Sequence, residues 1–309
     1  MTEPRFQESR IFDVFDSRIL RAEFPQMDLF QLSPGPFRGW IFSSRSENCR
    51  IAAGSFNQAT LCEGNYNPDT FHVGFILSPG HSAVVQAHEY DNGTLTIHRN
   101  AIAMHEVFPA DLVWADIAIP EKRVPQEIPP FITDKLAGRS QVFLEGSRET
   151  LSPLIHWVNG ARDSPVEAPV ESELLTIVNK LLFNRLIFPA DERTFTAGDR
   201  FRMHLLDVTH ERMKKKEGKE SLAEICSGIG MRPRTVQKYF HEIYGMGPTE
   251  YFRIRRLNRA RSVLLMSASK VSEVAQRWEF DHLGRFAARY KSHFGESPKA
   301  TRKRGDPNL

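Results

Sequence analysis

Two groups of cationic and polar residues near the C-terminal end of the chain have the types and spacing of side chains that contact DNA. Arginine can read guanine through two hydrogen bonds, glutamine can read adenine, and lysine serves best on phosphate. In both groups these residues lie opposite apolar positions that recur at helical spacing, so they occupy the outer face of a predicted helix. The predicted DNA-contacting residues are Arg232, Arg234, Thr235, Gln237 and Lys238 in the first group and His282, Arg285 and Arg289 in the second.

Each group follows a short predicted helix and a turn, which is the arrangement of a helix-turn-helix unit. In the first unit, Ser221 and Glu224 form a capping box that predicts a helix start. Gly228 and Gly230 are expected to supply the positive φ angles of a sharp turn. A second helix is predicted from Pro233, because proline is tolerated in a first helical turn. In such a unit the second helix enters the major groove.

The same plan recurs about forty-five residues later. Ser269 is predicted to cap a short helix, and a turn at Glu279 and Phe280 leads to a helix whose inner face runs from Leu283 to Phe294. Between the units, residues 249–266 predict one continuous helix about 27 Å long. Successive major grooves on one face of DNA are roughly 34 Å apart, so this helix is long enough to hold two reading helices near that separation.

The hundred residues that contain both units resemble the AraC/XylS family of bacterial transcription regulators. The matching segments are residues 222–226, 230–240, 248–252, 255–260, 274–275, 278–280, 284–286 and 294–298. Residues 282–287 are similar to the ethanolamine-operon regulators within that family. The resemblance implies that Arg234, Gln237, Lys238 and Arg285 hold base- or phosphate-contacting positions. It also implies an N-terminal β domain that senses a small effector or forms a dimer.

One residue departs from the family pattern. The family usually has glycine before the phenylalanine of the second turn, and this chain has Glu279. A residue with a Cβ atom is expected to strain a turn of positive φ.

The C-terminal third is basic and the remainder is acidic. Residues 211–309 contain 22 Lys+Arg and 11 Asp+Glu, a net charge of +11, which leaves −8 for the rest because the whole chain carries +3. This asymmetry favours a polyanionic partner for the C-terminal third alone, although a merely hydrated basic surface explains the charge equally well.

Residues from about 10 to 120 alternate short apolar segments with turn residues, which is typical of an all-β sandwich or barrel. Strands are predicted at residues 39–42, 49–53, 59–63, 71–77, 83–90 and 94–99, and residues 91–93 predict a hairpin turn. The predicted fold class is therefore mixed. A β-rich N-terminal sandwich or barrel with following helices precedes an all-α domain of two helix-turn-helix units joined by a long helix.

The middle of the chain changes character. Helical spacing occurs over residues 147–159, 171–188 and 201–213, and residues 161–170 predict a linker. The amphipathic helix at 171–188 packs within its own chain or forms a dimer contact, and both readings stay open. We divide the chain into a sensor or dimerisation domain (1–160), a linker and helical connection (161–210) and a DNA-binding domain (211–309).

A cluster of arginines with a tryptophan makes one effector hypothesis for the N-terminal domain. Bidentate pairs and ring stacking could hold an anionic or nucleotide-like molecule. The residues concerned are Arg18, Arg21, Arg38, Trp40 and Arg45. The Arg-x-x-x-Arg signature of cyclic di-GMP binding does not occur in residues 1–200, so an unidentified small molecule, or none, is favoured.

The N-terminal region contains no motif of enzyme chemistry. Its histidines on predicted strands include no His-x-His pair, and no phosphate loop, nucleophile elbow or zinc-ligand cluster occurs. The histidines are His72, His81, His88, His98 and His105, and we interpret them as structural or surface residues. We therefore expect no enzymatic activity, no cofactor and no metal.

Three sparse cysteines fit a reducing compartment, and no apolar run approaches the roughly 20 residues of a membrane span, so a cytoplasmic location is expected.

The leading hypothesis is a sequence-specific transcription regulator, and the resemblance to the family favours an activator. Its expected partners are operator or promoter DNA, RNA polymerase, a small-molecule or nucleotide effector and a second copy of the chain, with no membrane. Three alternatives remain at this point. They are a metal-dependent cupin-type enzyme with a DNA-binding tail, a regulator gated by a cyclic dinucleotide, and a DNA-packaging protein.

Overall fold

The computed structural model describes residues 6–12, 24, 26–45, 49–66, 69–85, 88–92, 94–98, 103–123, 141–145 and 222–305, together with residues 152, 155, 156, 158, 176, 201, 202, 204–208 and 211. The described N-terminal residues form two antiparallel β-sheets. The strands are β1 (Phe6–Phe12), β2 (Met27–Gln31), β3 (Gly39–Arg45), β4 (Arg50–Phe56), β5 (Thr60–Asn65), β6 (Thr70–Ile76), β7 (Ser82–Val85), β8 (His88–Asp91), β9 (Thr94–His98), β10 (Ala103–Phe108), β11 (Val113–Pro120) and β12 (Gln141–Glu145).

The two sheets face each other across one apolar core. The seven-stranded sheet has the order β1-β3-β4-β11-β6-β9-β12, and the five-stranded sheet has the order β2-β5-β10-β7-β8. Buried side chains of both sheets meet between them, for example Leu29 and Val85 from the smaller sheet and Ile41 and Trp114 from the larger. The prediction of a β-rich sandwich is confirmed.

The segment around residue 90 differs from the sequence-based expectation. The single strand predicted at residues 83–90 is instead two strands, β7 and β8, which pair with each other with Val85 opposite His88. The predicted hairpin at residues 91–93 is wrong, because β8 belongs to the smaller sheet while β9 belongs to the larger. The connection instead crosses from one sheet to the other.

The C-terminal residues form six helices in two similar sets of three. They are α1 (Leu222–Ile229), α2 (Pro233–Tyr244), α3 (Pro248–Met266), α4 (Val271–Arg277), α5 (Leu283–Phe294) and α6 (Pro298–Gly305). Both α2 and α5 end at a glycine of left-handed conformation, Gly245 with φ 70° and Gly295 with φ 75°. In each case a proline begins the next helix three residues later. The two predicted helix-turn-helix units and the long helix between them are confirmed.

Several predicted features lie outside the described residues. These are the helices at 147–159 and 171–188, apart from single helical positions, the linker at 161–170 and the cap at Ser221. Within the predicted helix at 201–213, residues 201, 202, 204–208 and 211 are helical. No helix in the described part of the chain is both long and apolar enough to cross a membrane.

Candidate nucleic-acid interface

The turn of the first unit depends on a single left-handed glycine. Gly230 has a φ of 67°, and the following Met231 N–H donates to the Cys226 carbonyl at 2.9 Å. This is the Schellman ending of a helix, which satisfies late carbonyls of α1 and turns the chain toward α2. The prediction that Gly228 also takes a positive φ is wrong, because Gly228 lies inside α1 and its φ is not positive.

Helix α2 separates a buried face from an exposed cationic face. It begins at Pro233 after the N-cap Arg232, as expected, and buries Val236, Phe240 and Ile243. Of the predicted DNA-contacting residues of the first unit, Thr235 is half-buried and the others are exposed, namely the N-cap Arg232 and, on α2, Arg234, Gln237 and Lys238. The first unit therefore presents its predicted contact residues together.

Ion pairing on the exposed cationic face of α2 is weak. The Lys238 ammonium lies 3.7 Å from the Glu242 carboxylate one turn along the helix, and its side chain is still 71% exposed. Within the described ranges, Arg234 has no carboxylate partner. A cation that is exposed and weakly paired can meet a phosphate or a base edge at little cost in lost interactions.

The second unit repeats the same turn with glutamate in place of glycine. Glu279 has a φ of 59°, and the Phe280 N–H donates to the Ala275 carbonyl at 2.9 Å, as Met231 does to Cys226. Glu279 thus occupies the backbone position of Gly230, which costs roughly 1–2 kcal/mol for a residue with a Cβ atom.

The start of α4 differs from the predicted one. Lys270 is the N-cap, and its backbone N–H donates to the Glu273 carboxylate at 3.0 Å. The predicted cap at Ser269 is therefore displaced by one residue, because the glutamate reaches back to the later position.

Helix α5 is oriented like α2. It buries Phe286, Tyr290 and Phe294, and exposes the three predicted contact residues His282, Arg285 and Arg289.

Leu283, expected on the inner face of α5, is instead 48% exposed beside this cationic surface. Leu283 lies three residues before the buried Phe286, a spacing typical of one helix face, so periodicity alone predicts the wrong face for Leu283. An exposed leucine in the first turn of a reading helix could contact a thymine methyl group.

Helix α3 joins the two units as a rigid and buried spacer. It has 19 residues, which corresponds to about 28 Å, and it is buried along most of its length. Leu257, Ala260 and Leu264 of α3 share one apolar cluster with α4 and α5. The separation of the reading helices is therefore set by packing rather than by a flexible link.

The sequence analysis missed an extensive contact between α3 and the smaller sheet. Arg255 on α3 is 1% exposed, forms an ion pair with Glu63 on β5, and lies 3.6 Å from the centre of the Phe30 ring. His105 on β10 lies 3.3 Å from the same carboxylate and 2.8 Å from the Tyr244 hydroxyl. Burial raises the pKa of Glu63, but Arg255 and His105 outweigh it and hold that pKa well below its usual range.

One glutamine on β2 contacts both halves of the C-terminal domain. The Gln31 backbone N–H donates to the Asn258 side chain at 2.9 Å, and the Asn258 amide donates to the Gln31 carbonyl at 2.9 Å. The Gln31 side chain donates to the His293 carbonyl on α5 at 3.2 Å and accepts from Arg261 at 3.2 Å. The β-rich part therefore touches the spacer helix and the second reading helix at one point.

The structure does not bring the predicted effector residues together. Arg38 and Arg45 are exposed at opposite ends of β3, about 20 Å apart along the strand, while Trp40 is half-buried and stacks on Phe42. Arg18 and Arg21 lie outside the described residues.

The strand histidines have mixed surroundings. His72, His98 and His105 are buried, and His72 lies 3.1 Å from the Asp116 carboxylate. Among the described residues no group of three or more His, Cys, Asp or Glu side chains has the arrangement of a metal site.

Comparison with known proteins agrees with this geometry. A family model described as a helix-turn-helix domain matches residues 225–304. The chain is 38% identical over 81 residues to a probable thc operon regulatory protein of Rhodococcus erythropolis, a match covering 25% of this chain and 24% of that one. It is 31% identical over 128 residues to the XylDLEGF operon transcriptional activator 2 of Pseudomonas putida, covering 40% of this chain and 80% of that one.

The extent of these matches differs between relatives. The chain spans about a quarter of the length of the Rhodococcus relative and about two fifths of that of another XylDLEGF operon activator. Among solved structures, the AraC-like transcriptional activator CuxR is 18% identical, with 84% of this chain and 96% of that chain covered and a TM-score of 0.40.

Proposed function

The chain belongs to the AraC/XylS family of transcription regulators, and from this we propose that it binds a specific operator in double-stranded DNA and activates transcription. The activating role is supported by the names of its relatives, which are operon transcriptional activators. RNA polymerase is then the second macromolecular partner, and the chain acts beside the DNA in the cytoplasm.

The observation that carries this proposal is the pair of exposed cationic faces on one rigid spacer. Arg234 on α2 and Arg285 on α5 are both exposed, while the opposite faces of the two helices are buried against α3 and its neighbours. Two reading helices held by one packed helix can enter successive major grooves together.

The test is operator binding by the full chain. DNA fragments that the protein retains from its own genome identify the operator, and affinity is then measured for Arg234→Ala and Arg285→Ala. Each arginine that reads a base contributes about 1–3 kcal/mol of discrimination, so each variant should bind the operator roughly five- to 150-fold more weakly.

Lys122→Ala is the matched control, because it removes an exposed cation from the β-rich part and leaves the reading helices intact. Its operator affinity should stay near that of the parent chain. Unchanged affinity of both arginine variants would contradict the assignment of the reading helices. Equal binding to unrelated DNA would instead indicate an architectural protein.

We further assign the domains as 1–160 for sensing or dimerisation, 161–210 for connection and 211–309 for DNA binding. The contacts of Glu63 and Gln31 with the helices support a β-rich part that acts on the DNA-binding part. An effector bound there, or a second copy of the chain, would then adjust operator affinity. Residues 282–287 support placing the chain with the ethanolamine-operon regulators inside the family.

A further inference from the structure

A pocket lies in the core between the two β-sheets. The atom-free space there is about 470 Å³, a figure that includes space open to solvent. Five of its twelve lining residues are aromatic, namely Phe24, Tyr66, Tyr90, Phe108 and Trp114. Such walls suit a ligand with an apolar body or a cation that can lie over ring faces.

One carboxyl group that lines this pocket has no cationic partner in the described part of the chain. Glu106 on β10 lines the pocket and is 7% exposed. Its carboxyl accepts a long hydrogen bond of 3.4 Å from the Tyr66 hydroxyl, and no Lys, Arg or His of the described ranges pairs with it. A buried carboxyl group is normally paired or coordinated, so Glu106, with one long hydrogen bond, can accept a further donor.

The second carboxyl group of the pocket is already compensated. Asp116 on β11 lies 2.9 Å from the Arg50 guanidinium and 3.1 Å from the His72 ring. Burial raises the pKa of Asp116, but His72 and Arg50 overcome this effect and lower it. His98 on β9, two strands from β11, stays neutral, because burial lowers its pKa to about 3. Of the two acids that line the pocket, Glu106 is therefore the one without a cationic partner among the described residues.

The surroundings of Glu106 favour its protonated form. Burial raises the pKa of Glu106 to about 8, and the Asp116 charge adds to this shift while the Tyr66 hydrogen bond opposes it. Cys62, Tyr66 and Tyr90 face the same space and stay neutral, because burial raises the pKa of each well above its ordinary value. A cation that entered would displace the proton of Glu106.

We propose that this pocket binds a small organic ammonium ion, whose N–H groups donate to Glu106 and whose apolar body packs against the aromatic walls. Ammonium–carboxylate hydrogen bonds and cation–π contacts are both strong in a desolvated site. A carboxylate ligand is disfavoured, because it would meet two acidic side chains and a cation already engaged by Asp116.

The pocket and the contact with α3 lie on opposite faces of the same two strands. Glu106 and Cys62 are cross-strand partners and both line the pocket. The adjacent partners His105 and Glu63 point the other way, toward Tyr244 and Arg255. A ligand bound to Glu106 therefore lies one residue along β10 from His105, which takes part in the contact with the helices. This regulatory part rests on the proposed function, and we expect the ligand to change operator affinity.

The test is calorimetric titration of the full chain without DNA. The probes are benzylamine and the smaller n-butylamine, compared with the neutral benzyl alcohol and 1-butanol and with the anions benzoate and butyrate. At least one amine should bind tenfold or more tightly than its matched alcohol and acid. Its affinity should rise about tenfold per pH unit from about pH 6 to about pH 8, because binding releases the Glu106 proton while the amine stays cationic.

Glu106→Gln keeps the shape of the side chain and removes its charge, so it should abolish both the preference for amines and the pH dependence. Glu89→Gln, which alters an exposed acid on β8, should retain them. Thermal unfolding of both variants confirms that they fold. The proposal fails if neither amine binds, if the alcohols or acids bind as tightly, or if Glu106→Gln binds amines like the parent.

Operator binding is measured on the same protein preparations with and without the amine. Intact operator binding without any amine binding overturns this inference and leaves the proposed function standing. Amine binding by a protein that retains no specific DNA overturns the proposed function and leaves the ligand class standing. Amine binding with unchanged operator affinity overturns the regulatory part.

Discussion

At the scale of single residues, Glu279 shows how one side chain can weaken a turn that the chain makes twice. Its φ of 59° matches the 67° of Gly230 in the first unit, although only the glycine adopts such an angle without a steric cost. The Glu279 carboxylate lies near enough to Arg256 to raise the pKa of that guanidinium, against the lowering by burial. The positive φ of Glu279 therefore destabilises the turn, and the attraction between Glu279 and Arg256 offsets part of that cost.

We predict that Glu279→Gly stabilises the protein by up to about 1 kcal/mol, because relief of the left-handed strain outweighs the lost attraction to Arg256. The free energy of unfolding from urea titration measures this effect. Gly230→Ala is the reciprocal control and should destabilise by about 1 kcal/mol, since a Cβ atom at Gly230 meets nothing within 4 Å and acts through φ alone. A destabilised Glu279→Gly variant would show that the contact with Arg256 dominates.

At the scale of helices and strands, the C-terminal elements were predictable because their signals are local. Apolar spacing, Pro233 at a helix start and the glycines at turns lie within a few residues of the structure that they specify. Leu283 and Ser269 were misplaced for the same reason, because a local pattern does not show which turn faces the neighbouring helix.

The strand pairing was less predictable because it depends on distant residues. Nothing near residues 91–93 shows that β8 and β9 enter different sheets.

The partners of the spacer helix are more distant still. Arg255 pairs with Glu63 across 192 positions, and Asn258 with Gln31 across 227. Arg255 and Asn258 both lie in a segment that resembles the AraC/XylS family, but that resemblance does not show which residues they contact.

The two kinds of side chain on α2 lead to a prediction about salt. Lys238 is suited to phosphate, so Lys238→Ala should weaken binding about equally to operator and unrelated DNA. The slope of log affinity against log salt should fall by about one unit, because one fewer counterion is released. Filter binding over a range of salt concentrations measures both effects.

Arg234→Ala is the comparison, since it should weaken operator binding selectively. A larger loss of specificity in Lys238→Ala than in Arg234→Ala would reverse the two assignments.

At the scale of the whole molecule, the β-rich part and the helices are held together by a buried ion pair. Removing one member of such a pair leaves an uncompensated charge and costs about 3–5 kcal/mol. We therefore predict that Glu63→Gln lowers the free energy of unfolding by that amount, since Arg255 is buried without another carboxylate among the described residues.

The matched control is Asp28→Asn, which breaks the partly exposed pair of Asp28 with Arg259 between the same two parts. Such a pair contributes less than about 1 kcal/mol. Equal destabilisation by both variants would show that the buried pair has no special weight.

The Glu63 pair also gives the interface a direction of pH response. The pKa of Glu63 is lowered in the folded state. The contribution of the ion pair to the free energy of unfolding is therefore complete above the ordinary glutamate range near pH 4, and it is lost as the pH falls below that range. The stability difference between the parent chain and Glu63→Gln should therefore be constant around neutral pH and shrink on acidification.

The succession of α2 and α5 along one chain has a consequence for the DNA itself. A dimer of one helix-turn-helix unit reads a palindrome because twofold symmetry relates its halves. Here the two reading helices follow each other in one chain and expose different residues, Arg234 and Gln237 on one and His282 and Arg285 on the other. A site read by one molecule therefore has a direction. Inverting that site beside a promoter would turn the acidic β-rich part toward the opposite flank.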